Sequence, residues 1–443
     1  MLKKKLINII LIFVGLLAAN NSIAQEVYNL QMLIDRVLEE NYQILIQRNL
    51  QLITENNNTL GNAGFLPVVD AEGNATVSYN NTKQEYASGS TNQGTNAKSS
   101  NLNGLIAVNW TVFDGFKMFA KRKQLDLIQQ LGAVNTRYFI EQTVADVTLA
   151  YYEVILQKEL LKNYRNTLEI SRFRYQLEKK KITVGSGNAL LYNQALVDYN
   201  NDSLTVLETE MVIKTLEIRI TRFANLDPDN PLSLAEVDIS PGIIGNKDSL
   251  VARAIAANPE IKQSMLEEMI AGQNVQIEKA DYYPVVNVFG QYSGTNQNNE
   301  VGFMLQNKSY GPMFGVSVRF NLYNGGNDRR EVINQEIVED NTVLNNENTV
   351  SLIKAAVIEK HYHYNALMQQ FQLAKENALA AQRSLDIATL QFQNGTINGY
   401  DFRQTQLTLI IANNKAKQIG FRIKAAEIEL NRLTGDLLDT YLQ

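Results

Sequence analysis

The chain has 443 residues, 20% charged and 45% hydrophobic, with 41 Lys and Arg against 46 Asp and Glu. Such proportions belong to an ordered protein and exclude collagen-like, low-complexity and wholly disordered chains. The absence of cysteine removes disulfides, zinc–thiolate sites and cysteine nucleophiles, and two histidines leave little for histidine chemistry.

Residues 1–25 read as a cleaved export signal. Lys3, Lys4 and Lys5 form a positive head, Leu6 to Ala19 an apolar stretch, and Ser22-Ile23-Ala24-Gln25 a small-residue exit. A membrane anchor is the alternative, for which the apolar stretch is short. Without the signal, 38 basic residues face 46 acidic ones, a net charge of −8 that argues against a nucleic-acid partner. No later stretch reaches about 18 consecutive apolar residues. An exported chain of this kind is either soluble beyond the inner membrane or inserted as a β-barrel.

The remainder is written twice. Arg36 to Asn41 resembles Arg253 to Asn258 at an offset of 217, which also carries Pro67 onto Pro284 and Gly73 onto Gly290. Farther on the offset becomes 210. Phe113-Asp-Gly115 then maps onto Tyr323-Asn-Gly325, Gly185, Asn188 and Gln194 onto Gly395, Asn398 and Gln404, and Arg222 onto Arg432. The copies occupy 26–225 and 250–443, joined by a proline-bearing linker at 226–249.

Each copy predicts the same elements. A helix over 29–64 or 250–282 precedes a β-hairpin, at 68–113 or 285–323. In the first hairpin apolar or small residues fill every odd position from Val69 to Tyr79. Ile106, Val108, Trp110 and Val112 answer them on the return strand, as do Phe314, Val316, Val318, Phe320 and Leu322 in the second copy. The polar stretches Asn80–Asn101 and Gly294–Gly311 read as exposed loops between strands of about 11 residues. Proline-free stretches, Phe116–Thr183 and Asn327–Asn394, then predict helices of about 100 Å. Glycine turns and return helices over 189–224 and 400–434 follow.

One alternating strand by itself suits a small soluble sheet, and a long helical hairpin suits a coiled-coil spacer. The export signal, four matched strands and polar loops together favour a membrane barrel. Four strands cannot close one, so a barrel here requires several copies.

The duplicated order, the junctions at Pro67 and Pro284, the strand exits and the two turn signatures resemble the TolC-like family of outer-membrane efflux proteins over nearly the whole chain. The resemblance implies an α+β membrane protein with tandem-duplicated helical hairpins and four β-strands per protomer. It implies a homotrimer with a twelve-stranded barrel in the outer membrane of a Gram-negative bacterium, standing on a long helical barrel in the periplasm. Implied partners are outer-membrane lipid, a periplasmic adaptor and, through it, an inner-membrane pump. The implied role is a passive exit duct for efflux or type I secretion; a non-conducting envelope scaffold is the alternative.

The resemblance also assigns sites. Gly185, Ser186, Gly187 and Asn188, with Gly395, Thr396, Asn398 and Gly399, become adaptor-docking tips. Asp401 and Phe392 become aperture residues, with Gln404 replacing a second acid and Leu191 standing where the first copy would match Asp401. Ile397 departs from the basic residue often found there. His361 and His363, two apart, do not share a helix face. No catalytic constellation, phosphate loop or cofactor motif is found, so no enzyme activity and no cofactor are expected.

Overall fold

The computed structural model describes residues 27–230 and 232–441; the export signal expected at 1–25 lies outside them. In chain order the elements are β1 (Val27–Tyr28), α1 (Leu30–Glu40), α2 (Tyr42–Asn57), β2 (Val68–Glu85), β3 (Thr91–Asp114), α3 (Lys117–Thr183), α4 (Ala189–Phe223), β4 (Ser233–Leu234), α5 (Lys247–Ala257), α6 (Pro259–Lys279), a short 3-10 turn (Ala280–Tyr282), β5 (Val285–Asn299), β6 (Gln306–Arg319), α7 (Asn327–Gln393), α8 (Gly399–Thr434) and α9 (Leu437–Tyr441). They form two compact units, each drawn from both sequence copies. Of the described residues, one holds those up to Gln47 with those of Arg137–Pro259 and from Ser351 on, the other Arg48–Thr136 with Glu260–Val350.

The long helices form as the proline-free stretches predict, but the helix expected before each β-hairpin is broken in two. Asn41 ends α1, and its Oδ1 accepts from Gln43 and Ile44 N–H at 3.0 and 3.2 Å while its Nδ2 donates to Phe223 O at 2.9 Å. In the second copy Asn258 Nδ2 donates to Leu433 O, also at 2.9 Å. A short amide side chain supplies donor and acceptor together, so each kink is tied to the end of its own return helix. Pro259 then opens α6, where its missing N–H costs nothing. The amphipathic pattern runs straight through both breaks, which is why periodicity alone predicted one helix.

The core of the first unit gathers Leu33, Ile34 and Val37 of α1, Val144, Val147, Tyr151 and Val154 of α3, Ile220 of α4 and Ile428 of α8, all fully buried. Two buried tyrosines, Tyr151 of α3 and Tyr364 of α7, fasten the linker to the long helices. Tyr151 OH donates to Ala235 O at 2.8 Å, and Tyr364 OH donates to Gly242 O. Burial raises both phenols above their ordinary pKa, with Tyr152 adding to the first and Glu427 to the second. They stay neutral donors. Glu427 accepts from Gly242 N–H and Lys424 Nζ, both at 2.8 Å.

The second unit carries one antiparallel sheet in the order β2-β3-β5-β6. Its ladder puts Val69 opposite Val108, Ala71 opposite Ile106, Ile106 opposite Tyr292, Val286 opposite Val318 and Val288 opposite Val316. Residues paired in register share a face, so the apolar series predicted from the sequence lie on the same side of the sheet as far as Trp110 and Val318. The other side carries Asp70, Glu72, Asn74, Asn103, Asn109, Gln291, Ser293 and Ser317. Val69, Val77, Ile106, Phe314, Val316 and Val318 are each more than half exposed. That is an uncovered apolar surface, not a core.

The band runs diagonally across the ladder. Its upper end is Tyr79 on β2 and Tyr310 on β6. Yet Tyr310 pairs with Gly294, Gly294 with Gly104, and Gly104 with Gly73, six residues short of Tyr79. A horizontal layer crossing tilted strands produces this stagger.

The strands exceed the expected length, at 18, 24, 15 and 14 residues for β2, β3, β5 and β6. Most of the expected loop Asn80–Asn101 is paired strand closed by a turn at 86–90, and only 300–305 interrupts the second hairpin. Beyond the apolar band neither face needs greasy residues, so the backbone ladder continues without the alternation that reveals a strand. At the other end β6 stops at Arg319, leaving Phe320 and Leu322 outside it.

Gly115 and Gly325, equivalent in the two copies, both adopt left-handed φ, +70° and +77°. A Cβ on Gly115 would lie 2.2 Å from Ala280 O, whereas Gly325 faces open space. Gly325→Ala should cost about 1 kcal/mol of backbone strain, and Gly115→Ala about 3 kcal/mol once overlap is added. Thermal unfolding of the two variants in detergent should rank them in that order; equal midpoints would contradict it.

Candidate functional site

Both long helices end in the same turn. After α3, Val184 N–H donates to Lys180 O, Gly185 N–H to Ile182 O and Ser186 N–H to Lys181 O, at 3.0–3.1 Å. After α7, Asn394 N–H donates to Leu390 O, Gly395 N–H to Phe392 O and Thr396 N–H to Gln391 O, at 2.9–3.1 Å. Gly185 and Gly395 sit at φ +78° and +72°, the left-handed helix ending that glycine adopts without strain. The return helices start alike. Asn188 Oδ1 accepts from Leu190 N–H at 2.8 Å, and Asn398 Oδ1 from Tyr400 and Asp401 N–H at 2.9 Å. The polar landmarks of the two turn signatures are therefore capping devices.

Between them the turns differ. A Cβ on Gly187 would fall 2.4 Å from Ile182 N, whereas its counterpart Ile397 packs against the cluster of Leu385, Ala388, Phe402 and Leu409. Gly399 presents its carbonyl to Arg174 Nη1 at 3.3 Å. Val184, Leu190 and Tyr400 lie exposed around the tips. Asp401 and Gln404 are exposed one turn apart on α8, and Asp401 has no ion-pair partner among the described residues. Phe392 is half-buried, stacked on Phe402 at 4.8 Å within its own hairpin.

A cleft of about 960 Å³ separates the two hairpins near the tips. Phe173, Leu177, Leu191, Val197, Ile397 and Tyr400 give it an apolar lining. An ion network that the sequence reading missed crosses beside it. Arg403 of α8 holds Asp202 of α4 with two bonds, 2.9 and 2.8 Å, and its Nε lies 3.8 Å from Asp198. Asp198 also pairs with Arg174 of α3. The side chains of Arg174, Arg403 and Asp202 are only 10–13% exposed. Gln406 extends the tie, accepting from Arg403 at 3.2 Å and donating to Thr167 O at 3.3 Å. The repeat logic passed over these residues because their counterparts, Ser384, Asn193, Thr408 and Ala412, are uncharged. The only sequence signal was a pair of aspartates at i and i+4 on α4.

The chain matches the sequence profile of the outer membrane efflux protein family over residues 33–225 and 250–436. It belongs to that family. Members are Gram-negative outer-membrane channels extending into the periplasm, non-enzymatic ducts of tripartite systems that work with adaptor and inner-membrane pump components. Among solved structures, it is similar to the outer membrane protein VceC of Vibrio cholerae, with 14% identity, 92% of this chain and 96% of that one covered, and a TM-score of 0.74. The CmeC outer membrane channel of Campylobacter jejuni shares 14% identity, with 92% and 86% covered and a TM-score of 0.75. The open state of the MtrE outer membrane channel of Neisseria gonorrhoeae shares 15%, with 92% and 89% covered and a TM-score of 0.70. Identities this low establish a shared fold. No curated protein matches the chain by sequence.

The network makes a prediction about the tips. Removing one partner of a buried ion pair typically costs about 3–5 kcal/mol, because it strands the other charge. Arg403→Ala should therefore loosen both hairpin ends, raising hydrogen exchange over 189–205 and 399–410 on the order of 100-fold. Unchanged exchange there would show that the network does not hold the hairpins together.

Proposed function

We propose that three copies of this chain close a twelve-stranded barrel and that the assembly conducts cargo passively, driven by a pump elsewhere. The apolar band is the observation that carries this reading. Ten steps from Val69 to Tyr79 at about 3.4 Å each give about 34 Å along the strand. Tilted by the usual 35–45°, that becomes about 25 Å, the height of an outer-membrane apolar belt. The polar face then lines the lumen, and the diagonal stagger supplies the tilt. In this reading 26–225 and 250–443 are two copies of one hairpin unit, 226–249 is the joint between them, and 1–25 is the export signal.

The tips, Gly185 to Asn188 and Gly395 to Gly399 with Thr396 and Asn398 between, are the docking sites for a periplasmic adaptor. Their exposure, their rigid capping and the apolar residues around them support that role. Asp401 lines the aperture with Gln404 one turn above it, and Phe392 braces the hairpin that carries them. Three-fold symmetry would make Asp401 a ring of three carboxylates, attractive to cations.

Detergent-extracted protein added to planar bilayers should form long-lived pores, and Asp401→Ala should reduce cation block or cation selectivity. Pores unaffected by Asp401→Ala would remove the aperture assignment. Folded protein that forms no pore would favour the non-conducting scaffold.

A further inference from the structure

The apolar face of the sheet carries no charged residue from Val69 to Tyr79, from Leu102 to Trp110, or from Tyr310 to Val318 on the in-register positions. Directly past its upper edge the same face carries two lysines. Lys98 pairs across the ladder with Tyr79, and Lys308 stands two residues beyond Tyr310, opposite Asn296. No bulge separates either lysine from the band on its own strand, so both keep the band's orientation. Both are exposed. Neither has a carboxylate within ion-pair distance among the described residues. The nearest acid to Lys98, Glu300, is engaged by the backbone N–H of Lys98 itself at 2.8 Å. The sheet's remaining in-band charges, Asp70, Glu72, Asp114 and Arg319, lie on the opposite face.

Two ammonium groups without an ion-pair partner among the described residues, Lys98 with the Glu300 carboxylate beside its backbone, thus stand where the apolar band gives way to water. Tyrosines line that edge, as amphipathic rings do at a membrane interface. A flexible lysine stem can lie along the apolar surface while its head reaches the polar layer. We infer that Lys98 and Lys308, with Tyr79 and Tyr310, form a binding surface for the phosphate groups of an anionic lipid in the outer leaflet. This rests on the barrel reading above, which turns the apolar face towards lipid. Each phosphate oxygen would accept from an ammonium, and the acyl chains would lie down the band between Tyr79 and Val69 or Tyr310 and Val318.

Native mass spectrometry of the detergent-solubilised full chain, titrated with bisphosphorylated lipid A, tests the inference. The Lys98→Gln, Lys308→Gln double variant should retain the lipid on the order of 30-fold less tightly, the loss two basic residues carry at an anionic surface. Fully dephosphorylated lipid A should bind wild type and variant equally weakly, Arg319→Gln on the opposite face should bind like wild type, and inorganic phosphate at millimolar concentration should not compete. Equal retention by the double variant would overturn the inference, as would equal binding of the dephosphorylated lipid or displacement by free phosphate. Bilayer conductance is read on the same preparations. If both proteins conduct, the lipid result speaks to the lysines alone; if neither does, the barrel reading fails instead.

Discussion

An edge strand presents a row of N–H and C=O groups, and in hydrocarbon each unsatisfied one costs several kcal/mol. The sheet has two such edges, β2 and β6, and one face that is apolar and exposed. Burying that face in lipid without closing the edges is forbidden; closing them within one chain is geometrically impossible with four strands. Since β2 and β6 run antiparallel in the meander, the proposed solution is that β2 of one copy completes the ladder of β6 in the next. The rest of the architecture depends on that closure. Helices near 100 Å long become a tube only when the sheet they grow from becomes a ring.

The duplication makes such a ring economical in sequence. Equivalent positions repeat the same devices: an asparagine that breaks the first helix and grips the end of the last, a left-handed glycine after each long helix, and an asparagine that caps each return. At the tips the copies share these turns and caps but differ in the side chains around them. Gly187 answers Ile397, Leu191 answers Asp401, and the Arg174, Asp198, Arg403 and Asp202 network has no charged counterpart. Two hairpins that began alike are thereby distinguished at the end where the adaptor is proposed to dock.

Much of this was legible in the residues. Period-two alternation gave the strand faces, and missing proline the long helices. Constant offsets gave the duplicated plan, and with it the family. What escaped did so for physical reasons. Asn41 and Asn258 sit inside an unbroken amphipathic pattern, so only their long-range hydrogen bonds reveal the kinks. The outer halves of β2 and β3 are polar on both faces, and composition alone makes them look like loop. The ion network joins residues 24 and 201 positions apart, and the repeat gives no hint of it. Among the tip residues, the sequence placed Gly185 and Gly395 in the turns, while the capping bonds of Asn188 and Asn398 emerge only from the structure.

The most direct test of edge closure is the mass of the folded, detergent-extracted particle by native mass spectrometry. Three chains in one particle, dissociating only on denaturation, is the result this account predicts. A stable, folded monomer, its β2 and β6 edges open and yet embedded in the membrane fraction, would contradict it.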